Sequence, residues 1–155
     1  MSTDPLVLDR IVKAYDIRGT TPDEMNDDVA FALGVAFADF VKSPTVLVGR
    51  DMRVTGESLA ESFSRGVTSR GVNVVNLGLA STDLVYFAAG SLDAPGAMFT
   101  ASHNPAEYNG MKIVRAFNAI QAAKFLKGGL RDDGARVGMP MAGDDAKAIE
   151  VASEL

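Results

Sequence analysis

The chain has 155 residues, about one domain's worth, with 47% apolar and 23% charged residues and a net charge of −5. This mix fits a globular protein able to bury a sizeable core, and the absence of cysteine excludes disulfide scaffolds, thiolate metal sites and cysteine nucleophiles. The single histidine excludes a multi-histidine metal site, and the negative balance argues against nucleic acid as a partner.

No segment approaches the roughly 18 consecutive apolar residues of a membrane span. Met1-Ser2-Thr3-Asp4-Pro5 lacks the basic-then-apolar pattern of a signal peptide. The expectation is a cytoplasmic protein with no membrane partner.

An apolar stretch opens residues 6–19 and ends in Ala14-Tyr15-Asp16-Ile17-Arg18-Gly19. Thr21-Pro22-Asp23-Glu24 then reads as a helix start: Thr21 caps, Pro22 suits the first helical position and Glu24 closes a capping box. The run Val29 to Val41 is apolar on nearly every face, so burial on more than one side is expected, with Pro44 ending the helix. Thr45 to Gly49 is short and β-branched, the pattern of a buried strand. Arg50-Asp51-Met52-Arg53 follows as a charged loop. Alternating charges in a loop commonly pair with each other or with backbone, so structural support is the favoured role for Arg50, Asp51 and Arg53.

Glu57 to Arg70 carries Leu59, Ala60, Phe63 and Val67 at helical spacing, with Gly71 placed to stop it. Val72 to Gly78 reads as a strand. Ser81-Thr82-Asp83 can cap a helix running to about Leu92. Ala97 to Thr100 and Met111 to Val114 are two further strands, and Met98 and Phe99 are assigned to the core. A helix is expected over 117–130, followed by a Gly-, Asp- and Ala-rich linker or tail. Strands alternating with helices imply crossovers and a largely parallel sheet. Ligands then bind at the carboxyl ends of the strands, where the loops at 50–53, 80–83 and 102–109 can gather.

The chemistry concentrates in Thr100-Ala101-Ser102-His103-Asn104-Pro105, followed by Tyr108-Asn109-Gly110-Met111-Lys112. A polar loop between two apolar strands is equally a tight turn whose Ser and Asn bond their own backbone. A Ser102–His103 hydrolase dyad is disfavoured, because neighbouring side chains on an extended segment point to opposite faces. The Gly-x-Ser-x-Gly elbow is also absent. Phosphoryl transfer fits better: a serine that carries a phosphoryl group needs cations and donors around it. Lys112 on the next strand, and Arg18 and Tyr15 in an earlier loop, can supply them.

These segments resemble the α-D-phosphohexomutases, the phosphoglucomutase and phosphomannomutase enzymes. Thr100 to Pro105 looks like their phosphoserine loop, and Lys13-Ala14-Tyr15-Asp16-Ile17-Arg18-Gly19 like their N-terminal motif. Gly49-Arg50-Asp51-Met52-Arg53 resembles their Gly-Arg-Asp-x-Arg loop, and Asn109-Gly110-Met111-Lys112 the segment closing the catalytic loop. All stand in the family's order, across about residues 10 to 116.

The resemblance implies the family's first domain: an α/β three-layer unit with a mostly parallel or mixed sheet flanked by helices. It places that domain at 1–116 and leaves 117–155 as an atypical tail or linker. It implies an isomerase that interconverts sugar 1- and 6-phosphates, of mannose, glucose or both, through a bisphosphorylated intermediate. By the same resemblance Ser102 is the phosphoserine and the residue that meets Mg²⁺, and His103, Lys112 and Arg18 join it as catalytic residues. Tyr15, Arg18 and Asn104 would contact the phosphosugar substrate. The sequence contains no Asp-Gly-Asp-Gly-Asp metal loop, Gly-Glu-x-Ser-Gly sugar loop or Arg/Ser/Thr-rich phosphate loop. The family's other domains would therefore be partners. The chain alone is expected to be inactive, and to self-associate through an exposed domain interface. The alternatives are a non-catalytic module that binds phosphosugar or a partner protein, and a purely structural fragment.

Overall fold

The computed structural model describes residues 7, 10–12 and 16–114. The expected helix at 117–130 and the tail beyond it lie outside these residues. So do Lys13, Ala14 and Tyr15.

Five strands form one mixed sheet: β1 (Ile17–Thr20), β2 (Thr45–Arg50), β3 (Asn73–Leu79), β4 (Gly96–Phe99) and β5 (Tyr108–Val114), in the order β1-β5-β4-β2-β3. β2 runs parallel to both β3 and β4, while β5 runs antiparallel to both β4 and β1. Three helices, α1 (Asp27–Val41), α2 (Gly56–Thr68) and α3 (Thr82–Leu92), alternate with the strands. The parallel part is the product of these crossovers, as the sequence pattern predicts.

Side-chain alternation along the strands builds two cores. Val46, Val48, Ala97, Phe99 and Met111 face α1 and α2, with Phe63 at the centre between Phe37 and Phe99. Leu47, Met98 and Val114 face Val85, Ala88 and Ala89 of α3. Met98 and Phe99 are core residues, as expected. The architecture is the anticipated α/β three-layer domain.

The start of α1 differs from expectation. Glu24 does not close a capping box on Thr21. Its carboxylate accepts the backbone N–H and hydroxyl of Thr20 instead, at 3.0 and 3.1 Å. Thr21-Pro22 is a cis peptide in a turn, and the helix begins at Asp27 behind Asn26, whose side chain accepts the Val29 N–H at 3.0 Å. Asp27 and Asp28 then complement the positive end of the helix. Nor is α1 buried on more than one side. Val29, Ala30, Gly34, Phe37 and Ala38 form its one buried face, and Phe40 stays 65% exposed. Small alanines make the run apolar without needing cover on every side.

α3 starts as the sequence indicates, with the Ser81 hydroxyl accepting the Leu84 N–H at 3.1 Å. β1 has no counterpart among the expected strands. β5 begins three residues earlier than expected, at Tyr108, because β1 pairs with that segment.

Candidate phosphoserine loop

The parallel strands end in register, with Arg50 beside both Leu79 and Phe99. Backbone bonds continue past these ends: Asp51 N–H donates to the Phe99 carbonyl and Ala80 N–H to the Arg50 carbonyl, both at 2.9 Å. The loops after β2, β3 and β4 therefore leave the sheet at one edge, the ligand-binding edge of such sheets.

The loop after β4 is a compact series of turns. Thr100 N–H still bonds across to the Gly110 carbonyl at 3.0 Å. The Thr100 hydroxyl then accepts the Ser102 N–H, and the Ala101 and Pro105 carbonyls accept the Asn104 and Tyr108 N–H groups, each at 3.0 Å. Ser102 sits at φ 54°, in the left-handed region, and both it and His103 are exposed. The segment is thus not extended at Ser102. Its Oγ lies 3.3 Å from His103 Nδ1, so the opposite-faces argument against contact between these two side chains is corrected by the turn. A cavity of about 350 Å³ opens beside Ser102, lined also by Asp51, Arg53, Thr55 and Ala106.

Two arginines reach this loop. Arg18, on β1 opposite Gly110, donates from Nη1 to Asn104 Oδ1 at 3.0 Å and pairs through Nη2 with Asp16. Its shielded Nε has no hydrogen-bond partner among the described residues. The approach of β1 depends on Gly110: a Cβ there would lie 2.0 Å from the Ile17 carbonyl oxygen. Arg53 holds four loop carbonyls, those of Ser102, Asn104, Pro105 and Tyr108, at 2.7–3.0 Å. Asp51 accepts the Arg53 N–H at 3.0 Å and faces its Nε at 3.5 Å, while Arg50 pairs with Glu57 at 3.2 Å. The charges of this loop pair with one another, with Glu57 and with backbone, the pattern anticipated for it.

The sequence-derived residues are therefore distributed as follows. Ser102, His103, Asn104 and Arg18 come together. Lys112 lies on the α3 face of β5, opposite Met98, with its ammonium 5.9 Å from the centre of the Tyr86 ring. It makes no hydrogen bond to the serine loop. Tyr15 lies outside the described residues. Two further residues contribute, Asn109 of the segment closing the loop and Thr55, which the sequence does not mark. Asn109 is fully buried, its Nδ2 donating to Thr55 Oγ1 at 3.0 Å and its Oδ1 accepting the Gly110 N–H at 2.8 Å. Thr55 precedes α2 without capping it through its side chain, which leaves its hydroxyl for Asn109. Both residue types are common in turns, so their pairing has no signature in the chain.

No cluster of three or more His, Cys, Asp or Glu side chains suited to a metal ion occurs among the described residues. Their donor set does not by itself fit Mg²⁺, which is held by several oxygen ligands.

A sequence model of the phosphoglucomutase/phosphomannomutase α/β/α domain I matches residues 9–125. This span passes the expected boundary at 116 by nine residues. A phosphomannomutase from Klebsiella pneumoniae is 45% identical over 123 residues, which cover 77% of this chain and 75% of that protein. An Escherichia coli phosphomannomutase is also 45% identical over 123 residues, but these are only 26% of its length. Among solved structures, a phosphoglucomutase/phosphomannomutase family protein from Burkholderia thailandensis superposes with a TM-score of 0.63 at 33% identity, covering 76% of this chain and 30% of that one. With this fold and these matches, the chain belongs to the phosphoglucomutase/phosphomannomutase family, and residues 9–125 correspond to its domain I.

Proposed function

We propose that this domain carries the phosphoserine of a phosphohexomutase, at Ser102. The observation that carries the reading is the meeting of Ser102, His103 and Arg18 at the ligand-binding edge of the sheet, with Arg18 tied to the serine loop through Asn104. The reaction would interconvert mannose or glucose 1- and 6-phosphates through a bisphosphorylated sugar.

In the second half of such a cycle, after the phosphoserine has passed its phosphoryl group to the sugar monophosphate, Ser102 Oγ attacks a phosphorus of the resulting sugar bisphosphate. The new Oγ–P bond forms as the P–O bond to the sugar breaks, and the sugar monophosphate leaves with that electron pair. The Oγ proton passes to His103 Nδ1, its near neighbour, and the departing sugar oxygen takes up a proton to end as a hydroxyl. Arg18 offers a fixed positive charge to the phosphoryl oxygens, where charge spreads in the transition state. Mg²⁺ on the phosphorylated Ser102 belongs to the reading. The described residues add no ligand set for it, so no step is assigned to the metal. Lys112 joins the site only if its side chain leaves Tyr86.

Incubation with glucose or mannose 1,6-bisphosphate tests this. Intact-mass measurement should find one added phosphoryl group, peptide mapping should place it on Ser102, and Ser102→Ala should abolish it. Phosphate on Ser58, Ser81 or Thr100, with Ser102 unmodified, overturns the assignment. Sustained turnover is not expected from this chain by itself, because the family's metal and sugar loops are absent from its sequence.

A further inference from the structure

We propose that Arg53 is a positioning residue that builds the serine loop and does not bind the substrate. This rests on the phosphoserine reading of the same loop and adds what holds it in shape. A guanidinium has five N–H donors in a rigid plane. In Arg53, Nη1 donates to the carbonyls of Pro105 and Tyr108 at 2.7 Å each, and Nη2 to those of Ser102 and Asn104 at 3.0 and 2.7 Å. The fifth donor, Nε, faces Asp51 Oδ2 at 3.5 Å. Four of the five donors are bonded to loop carbonyls and the fifth faces a carboxylate, and the side chain is only 12% exposed. Nothing remains for a phosphate.

The effect on the loop follows from peptide geometry. Four converging carbonyl dipoles repel one another unless a cation sits at their focus. In a planar trans peptide, a carbonyl and the following N–H point in opposite directions. Drawing the Ser102 carbonyl onto Arg53 therefore turns the His103 N–H away from Arg53. In the same way the Pro105 carbonyl turns the Ala106 N–H. The grip thus sets the backbone that follows Ser102, while the Thr100 hydroxyl holds the Ser102 N–H before it, where φ is 54°. Arg53 can impose this shape because it is itself anchored. Its own N–H is held by Asp51, whose N–H is bonded to the end of β4 at Phe99, and its carbonyl accepts the Gly56 N–H at the start of α2.

The test compares Arg53→Ala and Arg53→Lys with the unaltered chain by amide hydrogen exchange, Ser102 phosphorylation from glucose 1,6-bisphosphate, and rescue by guanidinium ion. Asn104 and Tyr108 amides should exchange more than about tenfold faster in both variants, the change expected from losing even one charge-assisted bond. Amides of α1 and β2 should keep their rates. Phosphorylation of Ser102 should fall about 100-fold, as misplacement of a reacting group by an ångström can cost. Guanidinium should restore part of it in Arg53→Ala, and methylammonium should not, because a point charge cannot span four carbonyls. If Arg53→Ala does not fold, Arg53→Lys carries the comparison. Unchanged exchange in the loop overturns the proposal, and so does lost phosphorylation with an unaltered loop, which would place Arg53 on the substrate. An unaltered chain that accepts no phosphoryl group even with the family's other domains supplied removes the phosphoserine reading, while the exchange comparison still decides the role of Arg53.

Discussion

Arg18 and Asn104, 86 positions apart in the chain, are joined by a 3.0 Å hydrogen bond from Nη1 to Oδ1. The bond fastens β1, at the edge of the sheet, to the loop that presents Ser102. It also fixes the guanidinium before any ligand arrives, which lowers the cost of ordering it later.

Arg18→Ala should accordingly slow phosphoryl transfer. In a full-length family member carrying residues 9–125 of this chain, the rate should drop about 10²–10³-fold, as on removing one preorganised donor. Asn104→Ala, which removes one partner of the arginine but leaves its charge and its pairing with Asp16, should cost less. Steady-state kinetics with both variants checks the order. Equal rates for Arg18→Ala and the unaltered enzyme would confine Arg18 to holding the loop.

The parts of this arrangement that could be read from the chain are those with local causes. α3 is legible because Ser81 caps it and apolar residues repeat along it. β2 and β4 are legible as short apolar runs. β1 is not, since Ile17-Arg18-Gly19-Thr20 has no strand pattern of its own. It is a strand because Gly110 lets it lie against β5, in a pairing with Arg18 that is made far along the chain. The same pairing turns Tyr108-Asn109-Gly110, which reads as a turn, into strand. Ser102, His103 and Arg18 could be picked out by their chemistry. The partners of Arg53 could not, because carbonyl oxygens belong to every residue and leave no trace in the residue types.

Glu24 introduces a pH dependence. The Thr20 backbone N–H, then the Arg10 side chain and the Thr20 hydroxyl, hold its carboxyl below the usual carboxylate range, against a smaller opposing effect of burial. A lowered pKa in the folded state means stabilisation that is complete above the unfolded pKa. It is lost as the pH falls through the folded one. Glu24→Gln should therefore be less stable than the unaltered chain at neutral pH, and the gap should close below about pH 4. Urea unfolding at a series of pH values checks this, and a gap that widens in acid would contradict the sign.

Asn109 should matter for stability as well as loop position. It is fully buried and satisfies both Thr55 Oγ1 and the Gly110 N–H. Asn109→Ala removes these bonds and leaves a buried donor without a partner, a loss of about 1–3 kcal/mol. Chemical denaturation should show a lower midpoint with little change in slope. Asn109→Asp keeps an acceptor for the Gly110 N–H but buries a charge, so it should be at least as damaging at neutral pH and recover in acid.

Glycine-to-alanine changes should divide by what the new methyl group meets. α1 and α2 cross at Gly34 and Gly66, each lodged against the other helix. A Cβ at Gly34 would lie 2.1 Å from the Phe63 carbonyl oxygen, and one at Gly66 would lie 2.2 Å from that of Phe31. Backbone cannot swing aside as a flexible side chain can, so the helices must separate and loosen the packing around Phe37 and Phe63. Overpacking of this kind costs about 1–3 kcal/mol, against a gain of about 1 kcal/mol from alanine's better helix propensity. At the crossing the clash should win, and Gly34→Ala and Gly66→Ala should both lower the melting temperature. Gly90 is also helical, on α3, but exposed, with nothing within 4 Å of its would-be Cβ. There only the propensity term operates, so Gly90→Ala should raise stability by about 0.5–1 kcal/mol. Thermal unfolding of the three variants decides it: a rise for Gly34→Ala and Gly66→Ala would contradict a tight crossing, and a fall for Gly90→Ala would contradict the propensity argument.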